Sequence, residues 1–156
     1  MRDLQLVRQR NMQTRFPKIS YATLSARQKE NYNYQKVSAV LADYGFATIR
    51  LSDDWNGADF LAQHLSGETV KIQLKGRLTL CRKYQGKDLW VAFPHSGGWY
   101  LYPHDEVLTH ASQLTRFASS QSWLPEASGE YSWPSIPKAL KLALEPYYLQ
   151  GTAIAG

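Results

Sequence analysis

Ala58-Asp59-Phe60-Leu61-Ala62-Gln63-His64-Leu65-Ser66-Gly67-Glu68-Thr69-Val70-Lys71-Ile72-Gln73-Leu74-Lys75-Gly76 alternates apolar and polar residues on both sides of a glycine-containing turn. Period-two alternation is the mark of a strand with one buried face, and two such runs around Ser66-Gly67-Glu68 predict a β-hairpin with strands over 58–65 and 69–76. With Gly67 at the middle of a three-residue loop, Leu65 pairs with Thr69. Asp59 then lies opposite Lys75, and Leu61 opposite Gln73. Asp59, Leu61, Gln63, Lys71, Gln73 and Lys75 share one face, while Phe60, Ala62, His64, Val70, Ile72 and Leu74 share the other, which is the core face. The polar groups gathered around Asp59 in mid-sheet must serve each other or a ligand.

Upstream, Ser25 with Gln28 makes a capping box, Tyr34, Val37, Val40, Leu41 and Tyr44 form an apolar stripe, and Gly45 is a left-handed stop, so residues 26–44 are expected to be helical. Stepping back along that stripe reaches Glu30, on the buried-facing side near the helix start. Residues 46–51 read as a strand and 52–57 as the turn after it. Downstream, Leu89 to Phe93 and Trp99 to Tyr102 predict a second hairpin that extends the sheet. Helices are expected over 105–117 and over 135–149, with Pro137 in the first turn of the last. Between them, 119–134 is a Ser/Pro/Gly-rich loop anchored by Trp123 and Trp133. The stretch 76–88, with Arg77, Arg82, Lys83 and Lys87, is either a strand extension or a single helical turn.

Length and composition frame this as one domain, 25–150, behind a basic arm, 1–24. The chain has 156 residues with 44% hydrophobic content, sufficient for one real core. The net charge of +5 is ordinary, but its distribution is not: residues 1–78 hold 12 Lys/Arg against 7 Asp/Glu, and residues 79–156 hold 6 against 6. A polyanion would meet the first half. The arm itself, with Arg2, Arg8, Arg10, Arg15 and Lys18, is either a solvated tail or a phosphate-contacting segment. One cysteine, Cys81, excludes an internal disulfide and a cysteine-based zinc site, and the four histidines form no His-Glu-x-x-His helix. No Gly-rich phosphate loop is present. No stretch approaches the roughly 18 apolar residues of a membrane span, and the start carries no secretory signal, so the chain is expected to be soluble and cytoplasmic, with no membrane partner.

The order helix, strand, hairpin, with Asp59 opening one hairpin strand and Gln73-Leu74-Lys75 late in the next, resembles the PD-(D/E)XK nuclease superfamily over residues 25–102. The resemblance implies an α/β fold, a restriction endonuclease-like mixed β-sheet flanked by helices. It implies a Mg²⁺- or Mn²⁺-dependent DNA endonuclease that hydrolyses phosphodiester bonds, acting as a homo-oligomer such as a dimer. In that family the Asp and the first residue of the (D/E)-x-K strand bind the metal, the Lys orients the attacking water, and some members add a Glu from the first helix. Those roles fall on Asp59, Gln73, Lys75 and Glu30, with the Leu74 carbonyl completing the metal shell.

The residue types suit the chemistry, because a phosphodiester repels hydroxide until a cation neutralises its oxygens. Mg²⁺ keeps several waters and needs only one or two carboxylates and a carbonyl from the protein. Two departures from the family pattern stand out: Ala58 precedes Asp59 in place of Pro, and Gln73 stands where Asp or Glu is usual. The 76–88 segment is also short for a crossover helix. Gln73 favours the alternative of a catalytically inactive module that binds nucleic acid or a protein partner, in which Asp59 and Lys75 form a cross-strand ion pair of about 0.2–1 kcal/mol. Arg77, Arg82, Lys83 and Lys87, with Arg10 and Arg15 of the arm, are the expected DNA-backbone contacts or else solvated charges. Trp90, Trp99, Tyr100 and Tyr102 read as core and sheet-surface aromatics, and His104-Asp105-Glu106 as a helix-start cluster.

Overall fold

The Ser25 hydroxyl accepts the Gln28 amide at 3.3 Å while the Gln28 side chain accepts the Ser25 amide at 2.9 Å, closing the capping box that starts α1, Ala26–Asp43. Gly45, at φ +84°, takes the left-handed conformation that ends it. The computed structural model describes residues 14–151, so Arg10 and most of the expected arm lie outside the described residues. After α1 come β1 (Phe46–Trp55), β2 (Ala58–His64), β3 (Thr69–Leu74), β4 (Thr79–Cys81), β5 (Leu89–His95), β6 (Gly98–Pro103), α2 (His104–Leu114), β7 (Glu130–Ser132), α3 (Lys138–Leu144) and β8 (Tyr148–Leu149).

Six strands make one mixed sheet in the order β1-β2-β3-β5-β6-β8, with β3 and β5 parallel and every other neighbouring pair antiparallel. Helices cover both faces. Val37 and Leu41 of α1 pack on Phe60, Ala62, Val70, Ile72, Ala92 and Leu101. On the other face Val107, Leu108 and Ala111 of α2 and Leu140 and Leu144 of α3 join Val91, Phe93 and Tyr102 in a second core. The expected mixed α/β sheet flanked by helices is therefore the fold observed. The second core face continues under β4 and β7, a separate two-stranded sheet in which Cys81 pairs with Glu130. Trp123 and Trp133 pack against Phe117, as expected of anchors. The 76–88 segment does not extend β3: it holds β4, a strand of the separate two-stranded sheet, followed by the expected single helical turn, a 3-10 turn over Arg82–Tyr84.

Several boundaries differ from expectation for identifiable reasons. The β2–β3 register is shifted by two residues: Leu61 pairs with Lys71 and Phe60 with Ile72, which places Asp59 opposite Gln73 rather than Lys75. The loop is Leu65-Ser66-Gly67, closed by His64 N donating to Glu68 O at 2.8 Å, with Gly67 third and at φ +93°. The left-handed position of such a loop is its last, so glycine marks the end of the turn and not its centre. A shift of two keeps every side chain on its expected face. β1 runs on to Trp55, past the expected turn at 52, and reverses through Asn56 and Gly57, both at positive φ. That two-residue Asn-Gly turn is the favoured hairpin connection, and a bulge between Arg50 and Trp55 absorbs the irregularity. The last helix stops at Leu144 because Pro146 lacks the amide to continue it, and Tyr148–Leu149 instead pairs with β6. α2 likewise ends at Leu114, where the Thr115 hydroxyl donates back to the Ala111 carbonyl at 2.8 Å.

Candidate active site

Asp59 stands one residue into β2, where the β1–β2 turn and the end of β3 meet. Its Oδ2 accepts the Gln73 side-chain Nε2–H at 2.7 Å and the Leu74 backbone N–H at 2.8 Å. Gln73 Nε2 also lies 3.3 Å from the Leu74 carbonyl oxygen. The corrected register accounts for this: strand neighbours at Asp59 and Gln73 have their side chains in direct reach. Burial raises the Asp59 pKa above its ordinary value. The Leu74 amide opposes that, nearby Glu30 and Asp54 push it further up, and Lys75 pulls it down. Four of the expected site groups, Asp59, Gln73, Leu74 and Lys75, are thus gathered, with Glu30 within electrostatic reach.

Lys75 follows β3, its amide donating to the Ala92 carbonyl at 2.9 Å. Its ammonium does not face a carboxylate across the hairpin. It pairs with Glu130 of β7 at 3.2 Å and sits 5.7 Å from the centre of the buried Tyr84 ring. Tyr84 in turn packs beneath Gly57, whose lack of a side chain admits the ring: a Cβ there would meet it at 3.2 Å. Burial first, and the negative charges of Glu130, Asp59 and Asp54 among the lesser causes, push the Tyr84 hydroxyl far up, so it stays a neutral platform.

Glu30 is exposed rather than turned into the core. Its Oε1 accepts from Arg50 Nη2 at 3.3 Å, and Arg50 Nη1 donates to Asn31 Oδ1 at 2.6 Å. An open cleft of about 1140 Å³ connects Glu30 and Arg50 to Asp59, with Arg27, Asp53 and Asp54 also on its walls. Asp54 uses Oδ1 to accept the Gly57 amide at 2.7 Å, fixing the turn beside Asp59.

Among the described residues no three His, Cys, Asp or Glu side chains come close enough to enclose a metal by themselves. The donor chemistry nevertheless fits Mg²⁺ or Mn²⁺, which accept oxygen ligands and retain waters. Asp59 supplies a carboxylate, Leu74 a carbonyl, and Gln73 an amide oxygen once its side chain turns half about, since nitrogen and oxygen exchange places in that rotation. Four carboxylates against two guanidiniums on the described cleft walls leave it with excess negative charge that a divalent cation would offset.

The basic residues expected to meet DNA divide by environment. Arg77, Lys83 and Lys87 are exposed. Arg82 does other work: it donates to the carbonyls of Trp123, Leu124 and Pro125 and lies over the Trp123 ring, so its charge is spent on the loop before β7. Arg15 stacks near Phe16 at the exposed start of the described chain. Buried His104 accepts the Cys81 amide at 3.0 Å and contacts Asp105 at 2.9 Å. Burial lowers its pKa against the pull of Asp105, which fits a structural histidine. Among the described residues no helix is long and apolar enough to cross a membrane.

Glu130, Tyr84, Asp54 and Arg50 were not expected at the site. Asp54 had a local signal, an Asp two residues before Asn-Gly, the usual partner of a tight-turn amide. Glu130 had none, because its place depends on the long-range β4–β7 pairing.

No protein-family model matches the sequence, and a comparison with curated proteins finds no match. Among solved structures the chain is similar to a bacterial homing endonuclease, at 14% identity and a TM-score of 0.44, over 79% of this chain and 94% of that one. It is also similar to a Holliday junction resolvase from the archaeal hyperthermophile Archaeoglobus fulgidus, at 16% identity and a TM-score of 0.36, over 81% of this chain and 99% of that one.

Proposed function

We propose that this chain is a divalent-metal-dependent DNA endonuclease of the PD-(D/E)XK kind, in a Gln-x-Lys form. The observation that carries the reading is the meeting of the Asp59 carboxylate, the Gln73 amide and the Leu74 backbone at one point, next in sequence to Lys75 and with Asp59 on the wall of an open cleft. A bound Mg²⁺ or Mn²⁺ supplies the positive charge that allows an anionic phosphodiester to be attacked by water. Asp59 and the Leu74 carbonyl would hold it, with Gln73 as a neutral ligand and Glu30 as the additional anion that Gln73 does not provide.

Lys75 is a compact cation with three donors, suited to orienting the attacking water and to meeting charge on the phosphorane. Its four-carbon stem is costly to order, and Tyr84 and Glu130 do the ordering beforehand. Attack by water on phosphorus would break the bond to the deoxyribose oxygen, which gains a proton as the water loses one, leaving a phosphate monoester and a hydroxyl end.

A second reading is favoured by one specific observation. The Gln73 amide nitrogen, not its oxygen, faces Asp59, and Lys75 is paired to Glu130, so the charged groups satisfy one another as an inactive nucleic-acid-binding module requires. Titration with Mn²⁺ and a plasmid-nicking assay in Mg²⁺ buffer separate the two. The nuclease reading expects metal uptake lost in Asp59→Ala, and nicking reduced at least about 100-fold in both Asp59→Ala and Lys75→Ala, the scale of losing an electrostatic catalytic group. Gln73→Glu should retain or gain activity. Equal nicking by wild type and both alanine variants removes the mechanism.

A further inference from the structure

Arg50 and Glu30 close the outer end of the cleft with a loose pair. The guanidinium meets the carboxylate through a single contact at 3.3 Å, while its other nitrogen is held at 2.6 Å by the neutral Asn31 oxygen and its Cζ lies 5.3 Å from the centre of the Tyr34 ring. A planar fork matches a carboxylate best when both arms engage the same anion, and here only one does. Both partners remain accessible, with side chains 37% and 54% exposed. The pair is therefore weak, and its members are poised on a wall that also carries Arg27 one helical turn before Glu30.

We propose, resting on the nuclease reading, that Arg50 is a phosphate-contacting residue whose ion pair with Glu30 is exchanged when duplex DNA enters the cleft. The guanidinium passes to a backbone phosphate, and the carboxylate is released toward Asp59. Three observations support the exchange. The cleft walls carry four carboxylates and two guanidiniums among the described residues, so a phosphate approaching without compensation is repelled. Glu30 already acts electrostatically on Asp59, so its release adds negative charge where a divalent cation would be held. Tyr34 and Asn31 keep the guanidinium oriented as Glu30 departs. Substrate and metal are coupled by this arrangement: DNA withdraws the cation that neutralises Glu30, and metal withdraws the anion that occupies Arg50.

The coupling predicts a crossed pattern in two variants, read by binding and not by turnover. Mn²⁺ binding without DNA is measured by calorimetry, and binding of a labelled DNA duplex is measured in EDTA at low salt by anisotropy. Arg50→Met should bind Mn²⁺ more tightly and duplex more weakly. Glu30→Gln should bind duplex more tightly and Mn²⁺ more weakly. Each change is about two- to fivefold, the range that an exposed ion pair controls. Thermal denaturation confirms that both variants are folded before comparison. If wild type binds both ligands and either variant loses affinity for both or changes neither, the exchange is wrong and the nuclease reading stands. If wild type takes up neither Mn²⁺ nor duplex, both fall.

Discussion

As the proposed metal ligand, Asp59 meets two opposed demands, since such a ligand must be ionised while the site it occupies penalises charge. Burial and the fields of Glu30 and Asp54 raise its pKa against the help of the Leu74 amide and Lys75. A folded-state pKa above the unfolded value of 3.8 means that the contribution to stability is complete below that value and is lost as pH rises through the folded one. At neutral pH the ionised carboxylate therefore costs stability. Asp59→Asn keeps an oxygen to accept from Leu74 and Gln73 and removes the charge. It should melt higher than wild type at pH 7, by no more than about 1 kcal/mol because the site is partly solvated, and the advantage should vanish below about pH 4. Thermal melts of both proteins across that range decide it, and a constant difference at all pH values contradicts the argument. Metal affinity of wild type should weaken in mild acid as protons compete for the same carboxylate.

Elements place these residues, and here sequence and structure diverge in instructive ways. Strand alternation alone put Asp59, Gln73 and Lys75 on a common face, and a register error of two left that assignment untouched. What it missed was the partner of Lys75. The β4–β7 ribbon delivers Glu130 from 55 residues away in sequence, and no local pattern announces such a pairing, whereas the Asn56-Gly57 turn and the Gly67 loop end were both written in their glycines. The ribbon depends on Arg82, whose guanidinium donates to three carbonyls of the preceding loop and whose Cβ lies 2.9 Å from where a Cβ on Gly129 would stand. Arg82→Ala strips those acceptors and should cost about 1–3 kcal/mol, while exposed Lys83→Ala should cost less than about 0.5 kcal/mol. Urea midpoints compare them. If the nuclease reading holds, nicking should also slow in Arg82→Ala, since Glu130 then holds Lys75 less firmly, and equal stability of the two variants would contradict the clamp.

At the scale of the whole molecule, charge must be counted by what it is free to do. The basic excess lies in residues 1–78, yet within the described part its members are unequal: Arg50 is engaged with Glu30 and Asn31, and Lys71 donates to the Lys87 carbonyl at 2.6 Å. The crossover between β3 and β5 contributes Arg77, Lys83 and Lys87 as exposed cations on the strand connection that begins at Lys75, and spends Arg82 internally. A duplex lying in the cleft and continuing over this connection would meet these cations in addition to Arg27 and Arg50. Each phosphate neutralised releases condensed counterions, so the slope of log affinity against log salt changes by about 0.9 per contact. Arg77→Ala, Lys83→Ala and Lys87→Ala should each flatten that slope by up to this amount and weaken binding without regard to sequence. Arg82→Ala, though equal in charge, should leave the slope unchanged in urea-free buffer, where it remains folded. Duplex binding measured from low to moderate salt supplies the slopes. Four identical losses would mean that only net charge matters, and none would mean that DNA does not cross this part of the surface.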